Sequence, residues 1–365
     1  MIVAVVLLAA CREENGGAVN ELPGPTVVRS DPQGEPRQVL LGFGALPPEQ
    51  TQESYLRTFA NAGQYAEVVR ISRVPPWAEF LPGGNISVAT QELTRLETAL
   101  RRQYGLSLLF AIDPTDGSVQ RSRIAELPPS IDPREGFLNE DVQQALVAYA
   151  VYIATNYEPE YLAVGIEINM LRDRSPEQFE GFLDAYAQLY DIVKATSPTT
   201  KVFPTFQLED LEGTLDRAHL PQWEVLDAFA GRMDVLAIST YPYLSGIRAA
   251  GDIRIDYYSQ LRQRFAGEIV VAEAGYSSAP VAGQATVGTE RDQEAFLARL
   301  LADAEANGFS LTVWVAAFDL VYARQGDAAI LADVGLRASD GSNKLAWTIW
   351  EEWARRPTGI AAGHR

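Results

Sequence analysis

The sequence predicts an α/β fold, a single (β/α)8 barrel. Eight short apolar runs, each about the length of a strand, lie between Gln38 and Asp319. Longer amphipathic segments separate them, and these carry the start and stop signals of helices. Strands that alternate with helices are typical of parallel sheets, and eight such units are the number that closes a barrel.

The predicted strands are, in order, QVLLGFGAL, AEVVRISRV, LSLLFAIDP, YLAVGIEIN, KVFPTFQLE, MDVLAISTYPY, EIVVAEAGY and SLTVWVAAFD. The clearest predicted helices are TQESYLRTFANAG, TQELTRLETALRRQYG, NEDVQQALVAYAVYIATNY, SPEQFEGFLDAYAQLYDIVKATSP and TERDQEAFLARLLADAEANG. An open doubly wound sheet is the alternative, and it usually has a glycine-rich phosphate-binding turn after its first strand. Pro47 and Pro48 stand where that turn would be, which favours the barrel.

We expect one folded domain, the barrel, at residues 38–355, with a short tail at 356–365. Residues 1–11, MIVAVVLLAAC, are too short to span a bilayer but match the apolar part of an export signal. LAAC resembles the lipobox of bacterial lipoproteins, in which the cysteine is lipidated; the alternative is an apolar N-terminal segment without this role. On the first interpretation Cys11 is the lipidation site and residues 12–37, rich in Gly, Pro and Glu, are a flexible tether. The protein would then be extracytoplasmic, in the periplasm or at the cell surface, and would meet the membrane only through this anchor.

Composition excludes several classes of function. The formal net charge is −18, so no basic surface is expected to bind nucleic acid. Only two histidines are present, His219 and His364, which argues against a histidine-based triad or a histidine-rich zinc site. Acid–base chemistry therefore falls to Asp, Glu, Tyr or Lys. We expect a monomer that acts on a neutral substrate and needs no cofactor or metal.

Polar and aromatic residues end most of the predicted strands, and in a barrel these ends form the active-site face. Side chains alternate along a strand, so Glu167 and Asn169 should share the inner face of the fourth strand. Glu273 ends the seventh predicted strand. Either glutamate alone could be half of a structural salt bridge. Two of them at strand ends are what glycoside hydrolysis needs, because one protonates the leaving oxygen and the other attacks carbon or activates water.

At this point the sequence resembles a known family. VGIEIN and VVAEAGYSS resemble the two catalytic segments of clan-A glycoside hydrolases, which are retaining TIM-barrel enzymes. ISTYPY is similar to the sixth-strand segment of the endo-β-1,4-galactanase group, and GLRASDGSNKLAW resembles a segment near the end of that barrel. The resemblance covers roughly residues 38–355 and implies that Glu167 is the acid/base and Glu273 the nucleophile. It also implies that Tyr241 hydrogen-bonds to Glu273.

The sequence departs from the clan at one position. The clan usually has an asparagine, which binds the sugar 2-hydroxyl, just before the acid/base glutamate; here that residue is Ile166, and Asn169 is the candidate substitute. A carbohydrate-binding surface lipoprotein without hydrolytic activity is therefore the alternative function. A structural lipoprotein with no glycan ligand is a third, and a cleft without exposed aromatic rings would favour it.

Further residues near the strand ends are candidates for supporting roles. Arg73 is expected to keep Glu273 ionised, with Arg70 as the second choice. Phe206 and Phe318 are expected in the core. We expect Glu167 to stay protonated among apolar neighbours and the two carboxyl groups to lie about 5–5.5 Å apart, as in retaining enzymes. The candidate substrate-binding residues are Trp77, Asp113, Tyr243, Trp314 and Asp319. For Asp113 the alternative is a turn residue.

Overall fold

The computed structural model describes residues 26–117, 120–215, 217–247, 249–281 and 288–359. Cys11, the predicted signal segment, the first part of the tether and the end of the tail lie outside these ranges. Contacts divide the chain into two compact units. Of the described residues, the first unit comprises those in Ile71–Ala99 and Ser107–Ser239, and the second comprises those up to Arg70, in Leu100–Leu106 and from Thr240 onward.

Nine strands form one sheet, and the strand pairs are parallel. The strand order in the sheet is β5-β4-β3-β2-β1-β9-β8-β7-β6. All nine strands begin within the eight predicted segments, in the predicted order, because the fifth segment contains two strands. The strands are β1 (Leu40–Gly44), β2 (Val68–Arg73), β3 (Ser107–Ile112), β4 (Tyr161–Val164), β5 (Lys201–Phe203), β6 (Thr205–Gln207), β7 (Val235–Thr240), β8 (Glu268–Ala274) and β9 (Leu311–Trp314).

Pro204 explains why the sheet has nine strands instead of eight. Strands β5 and β6 are consecutive in the chain and are separated by this one residue, which has no N–H to donate to a ladder. β5 pairs with β4, and β6 pairs with β7. The two terminal strands of the order are therefore one continuous stretch of chain, so the sheet closes on itself. The predicted (β/α)8 barrel is confirmed.

Helices connect most of the strands. Before β7 the chain forms a 3-10 helix, Trp223–Phe229. No described helix has both the length and the apolar character needed to cross a membrane. The α-helices are α1 (Gln52–Tyr65), α2 (Trp77–Phe80), α3 (Val88–Gln103), α4 (Glu140–Asn156), α5 (Ile168–Arg174), α6 (Pro176–Thr196), α7 (Leu208–Leu211), α8 (Gln260–Arg264), α9 (Glu290–Ala306) and α10 (Leu345–Arg355).

In the first unit, β4 is shorter than the sequence predicted. It ends at Val164, and Gly165 then adopts a φ of 82° that leaves the extended conformation. Glu167 follows with a φ of 51°, and α5 begins at the next residue. Strand alternation therefore stops before Glu167, and the prediction that Glu167 and Asn169 share one strand face is wrong.

In the second unit, β8 extends through Glu273, but its pairing with β9 is irregular. Val270 and Val271 pair with Leu311 and Thr312, and the register then shifts before Ala274. Glu273 lies within this shift. Bulges of this kind are common beside active sites, where they redirect a side chain. A buried strand can end on this glutamate because Arg70 and Tyr241 bond to its carboxylate.

Candidate active site

Glu167 is 4% exposed and is held by groups from three different segments of the first unit. The Arg121 Nε donates a hydrogen bond to Oε2 at 2.5 Å, and the Ser239 hydroxyl donates to Oε1 at 2.5 Å. The backbone N–H of Glu167 donates to the Thr205 hydroxyl at 2.9 Å. The carboxylate is therefore fixed in position at both oxygens.

Arg121 reaches Glu167 from the segment that follows β3. Its own N–H donates to the Asp116 carbonyl, and a short antiparallel bridge joins Thr115 to Ile124 on either side. Arg121 has a φ of 41°, a backbone conformation that is uncommon for residues other than glycine. Strained residues of this kind concentrate at functional sites.

The guanidinium of Arg121 lies between two carboxylates. Besides Glu167, it donates to the Asp113 carboxylate at 2.8 Å and to the Thr115 hydroxyl at 2.9 Å. Burial lowers the pKa of Arg121, but the charges of Asp113 and Glu167 outweigh it and raise that pKa above its ordinary value. Arg121 therefore remains a cation. Asp113, a candidate substrate ligand, is here the second counterion of Arg121.

The expected apolar environment of Glu167 needs correction. Ile166, Ile168 and Met170 are buried as expected. The carboxylate contacts a guanidinium and a hydroxyl, and both favour its ionised form. Apolar neighbours in sequence were an unreliable guide because the turn at Gly165 redirects the side chain.

Glu273 has an equivalent pair of partners in the second unit. Arg70 Nη2 lies 2.5 Å from Oε2, and the Tyr241 hydroxyl donates to Oε1. The Tyr241 ring lies so close to Gly275 that a Cβ there would be 2.7 Å from ring atom Cε1. The AEAG sequence thus supplies both the carboxylate and the space for the tyrosine that binds it.

The cation on Glu273 is Arg70, so the expectation that favoured Arg73 is corrected. Arg73 ends β2 and instead pairs with Glu97 at 2.7 Å, with a further bond to the Tyr157 hydroxyl at 3.2 Å. Side chains alternate along a strand, so the two arginines cannot point the same way. A charged residue between the buried Val69 and Ile71 was the available signal for Arg70.

Asn169 does not offer its amide to a ligand. It is fully buried in α5, and its Nδ2 donates to the Gln207 carbonyl and to Asp210 at 2.7 Å. Its Oδ1 accepts from the Gln207 N–H at 2.8 Å. The expectation that Asn169 replaces the missing asparagine is therefore corrected: this amide joins the segment after β4 to the segment after β6.

Three predicted sugar-stacking aromatic residues are also in the core. Trp77 is 1% exposed, and its indole N–H donates to the Ala125 carbonyl at 2.7 Å. Trp314 is completely buried and donates to the Val334 carbonyl at 2.8 Å. Tyr243 is buried and donates to the Ile330 carbonyl at 2.6 Å. Trp314 is the last residue of β9, and Trp77 and Tyr243 lie just past the ends of β2 and β7, but later segments of the chain cover all three rings.

Asp319 is likewise internal. It accepts a hydrogen bond from Lys344 Nζ at 2.5 Å and one from the Gly335 N–H at 3.1 Å. Burial raises the pKa of Asp319, although the Lys344 ammonium opposes that rise. Lys344 also donates to the Ser278 hydroxyl at 2.7 Å, so it ties the segment after β8 to the segment after β9. The predicted substrate role of Asp319 is corrected to a structural one.

Neither Arg121 nor Ser239 was predicted from the sequence as a partner of Glu167. Arg121 lies 46 positions before Glu167 in a polar segment with no periodicity. Ser239 is a small polar residue within the buried strand β7. Within the parts of the chain that the structure describes, no three His, Cys, Asp or Glu side chains are grouped as metal ligands.

No protein-family model matches this sequence, and a search of curated proteins also finds no match. Among solved structures, the fold is similar to that of an exo-beta-1,4-mannosidase from Opitutaceae bacterium strain TAV5. The TM-score is 0.66 at 16% identity, over 91% of this chain but only 62% of the mannosidase.

Two further solved structures are similar. A GH5_18 protein from Bifidobacterium longum subsp. longum ATCC 55813 has a TM-score of 0.64 at 14% identity, over 88% of this chain and 81% of that one. A family 39 glycoside hydrolase from Bacteroides cellulosilyticus WH2 has a TM-score of 0.59 at 17% identity, over 91% and 65%. Identities this low establish the shared barrel fold alone, and the fold is one that glycoside hydrolases use.

Proposed function

We propose that this chain is a retaining O-glycoside hydrolase that acts on a poly- or oligosaccharide. The observation that carries the proposal is the pair of glutamates at the carboxyl ends of β4 and β8. Each is held at both carboxylate oxygens by one arginine and one hydroxyl group. Catalytic residues of barrel enzymes lie at these strand ends. The similarity of fold to glycoside hydrolases supports the same function.

In the proposed reaction Glu273 attacks the anomeric carbon while Glu167 gives its proton to the departing oxygen. The carbon–oxygen bond breaks, and a covalent sugar ester forms on Glu273. Glu167 then takes a proton from water, which attacks the same carbon and releases Glu273. Arg70 and Tyr241 suit Glu273 to the first step because both stabilise an ionised carboxylate.

The charges around the two glutamates favour an uncharged sugar. Arg70 is neutralised by Glu273, and Arg121 is shared by Asp113 and Glu167. An acidic sugar would have to displace one of these carboxylates from its partner. The formal net charge of −18 also repels anionic polymers.

A screen of neutral polysaccharides and aryl glycosides tests the proposal. We expect hydrolysis of at least one substrate, and a loss of about 10⁴-fold or more in kcat for Glu273→Gln, as for other catalytic residues. Glu167→Gln should slow substrates with poor leaving groups most. Glu224→Gln, at an exposed residue that pairs with Arg172, is the matched control and should behave like the wild type.

The stereochemistry of the product tests the mechanism separately. Proton NMR of the first sugar released should show the same anomeric configuration as the substrate. A mechanism-based fluorosugar should label Glu273. An inverted anomer, or a label on another residue, would contradict the assignment.

The second candidate is a carbohydrate-binding protein on the same barrel that does not hydrolyse its ligand. Two observations favour it: Ile166 offers no amide beside Glu167, and Glu167 is bound to a cation. Binding of a polysaccharide in affinity electrophoresis without any hydrolysis would support this candidate. The absence of both binding and hydrolysis would contradict both candidates, and the buried rings at the strand ends would then agree with the third function, a structural role without a glycan ligand.

A further inference from the structure

The bonding of Glu167 conflicts with the role of a proton donor. A general acid must carry a proton before reaction, yet both oxygens of this carboxylate accept hydrogen bonds. Oε2 accepts from the Arg121 Nε, and Oε1 accepts from the Ser239 hydroxyl. A guanidinium always donates, so a proton on Oε2 would point at another proton. The ion pair is also buried, where salt screens it little.

We propose that Arg121 is a positioning residue that holds Glu167 ionised in the resting site and must release it before Glu167 can act as the acid. This inference rests on the proposed function and concerns the regulation of the same site. It assigns a task to a residue that neither donates the proton nor attacks the sugar.

Asp113 makes the release possible. A buried guanidinium left without a counterion is strongly destabilising, which would prevent Arg121 from giving up Glu167. Arg121 keeps its bond to Asp113 at 2.8 Å when the bond to Glu167 breaks. The group of Asp113, Arg121 and Glu167 carries a formal charge of −1 with Glu167 ionised and 0 once Glu167 has taken up a proton. Proton uptake therefore leaves the cation paired.

Besides Arg121, the described partners of Glu167 are hydroxyl groups. Thr205 and Ser239, which contact Glu167 from β6 and β7, are neutral. The charged side chains of α5 have other partners. Arg172 pairs with Glu224, Arg217 donates to Asp173, and Arg174 donates to the Gln120 carbonyl.

The test measures the titration of Glu167 directly. Side-chain carboxyl signals of ¹³C-labelled protein are followed by NMR against pH, and Glu167→Gln identifies the signal. Removing an opposite charge raises the pKa of a carboxyl group, so Arg121→Gln should raise the titration midpoint by about one unit or more. Arg121→Lys keeps the charge and should give a smaller rise. Arg172→Gln is the control and should leave the midpoint unchanged.

Asp113→Asn provides a test in the opposite direction. It removes the competing carboxylate and leaves the whole charge of Arg121 to Glu167, so the midpoint should fall. This variant keeps both members of the ion pair and covers the case in which Arg121→Gln does not fold. An unchanged midpoint in Arg121→Gln, or in Asp113→Asn if the former is unfolded, would overturn the proposal.

Kinetics separate this inference from the proposed function. For an aryl glycoside with a poor leaving group, kcat/KM should fall at high pH as Glu167 loses its proton. The pH at which this fall occurs should move by the same amount as the titration midpoint. A good leaving group needs no acid, so the high-pH fall of kcat/KM for such a substrate should move less. If the titration midpoint of Glu167 moves but the protein hydrolyses no substrate, only the proposed hydrolase function is contradicted. Hydrolysis with an unmoved midpoint would contradict only the role of Arg121.

Discussion

At the scale of single residues, the burial of Arg70 indicates that the candidate site is not optimised for the stability of the fold. It lies in β2 between two apolar residues and is buried, and burying a guanidinium is costly unless its donors are bonded. Glu273 satisfies Nη2, but among the described residues Nε has no hydrogen-bond partner. An incompletely satisfied buried cation is more readily explained by a task at Glu273 than by a contribution to folding.

Tyr241→Phe tests the partner of Glu273. The change removes the hydroxyl that donates to Oε1 and keeps the ring beside Gly275. A hydrogen bond to a charged group contributes about 1.5–3 kcal/mol, so we expect kcat/KM to fall about 10- to 100-fold. Tyr243→Phe is the control, because its hydroxyl donates to a backbone carbonyl. Equal losses of activity in the two variants would argue against a specific role for Tyr241.

Asp210→Asn should change how stability depends on pH. Burial raises the pKa of Asp210, and the nearby His219 and Arg174 only partly offset the rise. A raised carboxyl pKa favours folding while the group is protonated, and this contribution is lost as the pH rises through the raised value. Measured by urea unfolding, the stability of Asp210→Asn relative to the wild type should therefore improve from about pH 4 to pH 7.

Asp340→Asn serves as the control for this pH series. The Ser342 backbone N–H lowers the pKa of Asp340, which is exposed. A lowered pKa stabilises the folded state above the unfolded value, and that contribution is lost as the pH falls. The control should therefore show a slope of opposite sign, or none if solvent screens the bond. A flat difference for Asp210→Asn would contradict the effect of burial.

The sequence suggested Glu167 and Glu273 as candidates because a carboxylate at the end of an apolar run is conspicuous. It could not place Arg121, whose role depends on how a nonperiodic segment folds back over the strand ends. It also misplaced Trp77 and Trp314. A ring at a strand end is visible in the sequence, but whether a loop covers it depends on distant residues such as Ala125 and Val334.

At the scale of elements, the link between β4 and α5 is the most constrained part of the candidate site. Gly165 donates to the Ile112 carbonyl of β3 and then turns with a φ of 82°. A Cβ on this residue would lie 2.5 Å from Cζ of Phe182 in α6. Both the backbone conformation and the packing therefore require glycine, and Glu167 lies two residues further on.

Gly165→Ala should destabilise the fold and impair the site together. The left-handed conformation costs about 1–2 kcal/mol for a residue with a Cβ. The contact with Phe182 adds the cost of overpacking, about 1–3 kcal/mol. Thermal or urea unfolding measures the sum. Since any relief of the clash shifts the chain before Glu167, we also expect kcat to fall under conditions where the variant is folded.

Gly83→Ala is a matched control for this variant. Gly83 has almost the same φ, 83°, but a Cβ there would meet nothing within 4 Å. The control should lose only the backbone contribution and retain activity. If both variants lose the same free energy of unfolding, packing against Phe182 does not contribute. The requirement for glycine at position 165 then comes from its backbone conformation alone.

The order of elements could be predicted because each strand is a compact apolar run bounded by helix signals. The residues at which some strands begin and end could not be predicted, for two specific reasons. Pro204 divides one strand into β5 and β6 because it cannot donate to a ladder. β4 stops at Val164 because Gly165 turns, and a glycine within an apolar run reads in sequence as part of the strand.

At the scale of the whole molecule, charge and anchoring determine where the barrel could work. The chain carries 48 acidic against 30 basic residues, which disfavours binding to anionic lipid headgroups or nucleic acids. Retention at a membrane would therefore need a specific anchor. Cys11 is the only cysteine, and it follows an apolar stretch that ends in LAA.

Lipidation at Cys11 would supply that anchor, and fractionation tests it. Expressed in a bacterium behind a complete export signal, the chain should be recovered with the membranes and should incorporate labelled palmitate. Cys11→Ser should abolish the label and leave the protein unprocessed or in the soluble fraction. Ser and Cys differ little in size, so the variant tests the thiol without altering the apolar stretch. One acyl chain gives only marginal membrane binding, whereas a fully processed lipoprotein carries more than one, so retention should survive a high-salt wash. Release by salt, or equal retention of Cys11→Ser, would show that the barrel reaches the membrane by another route.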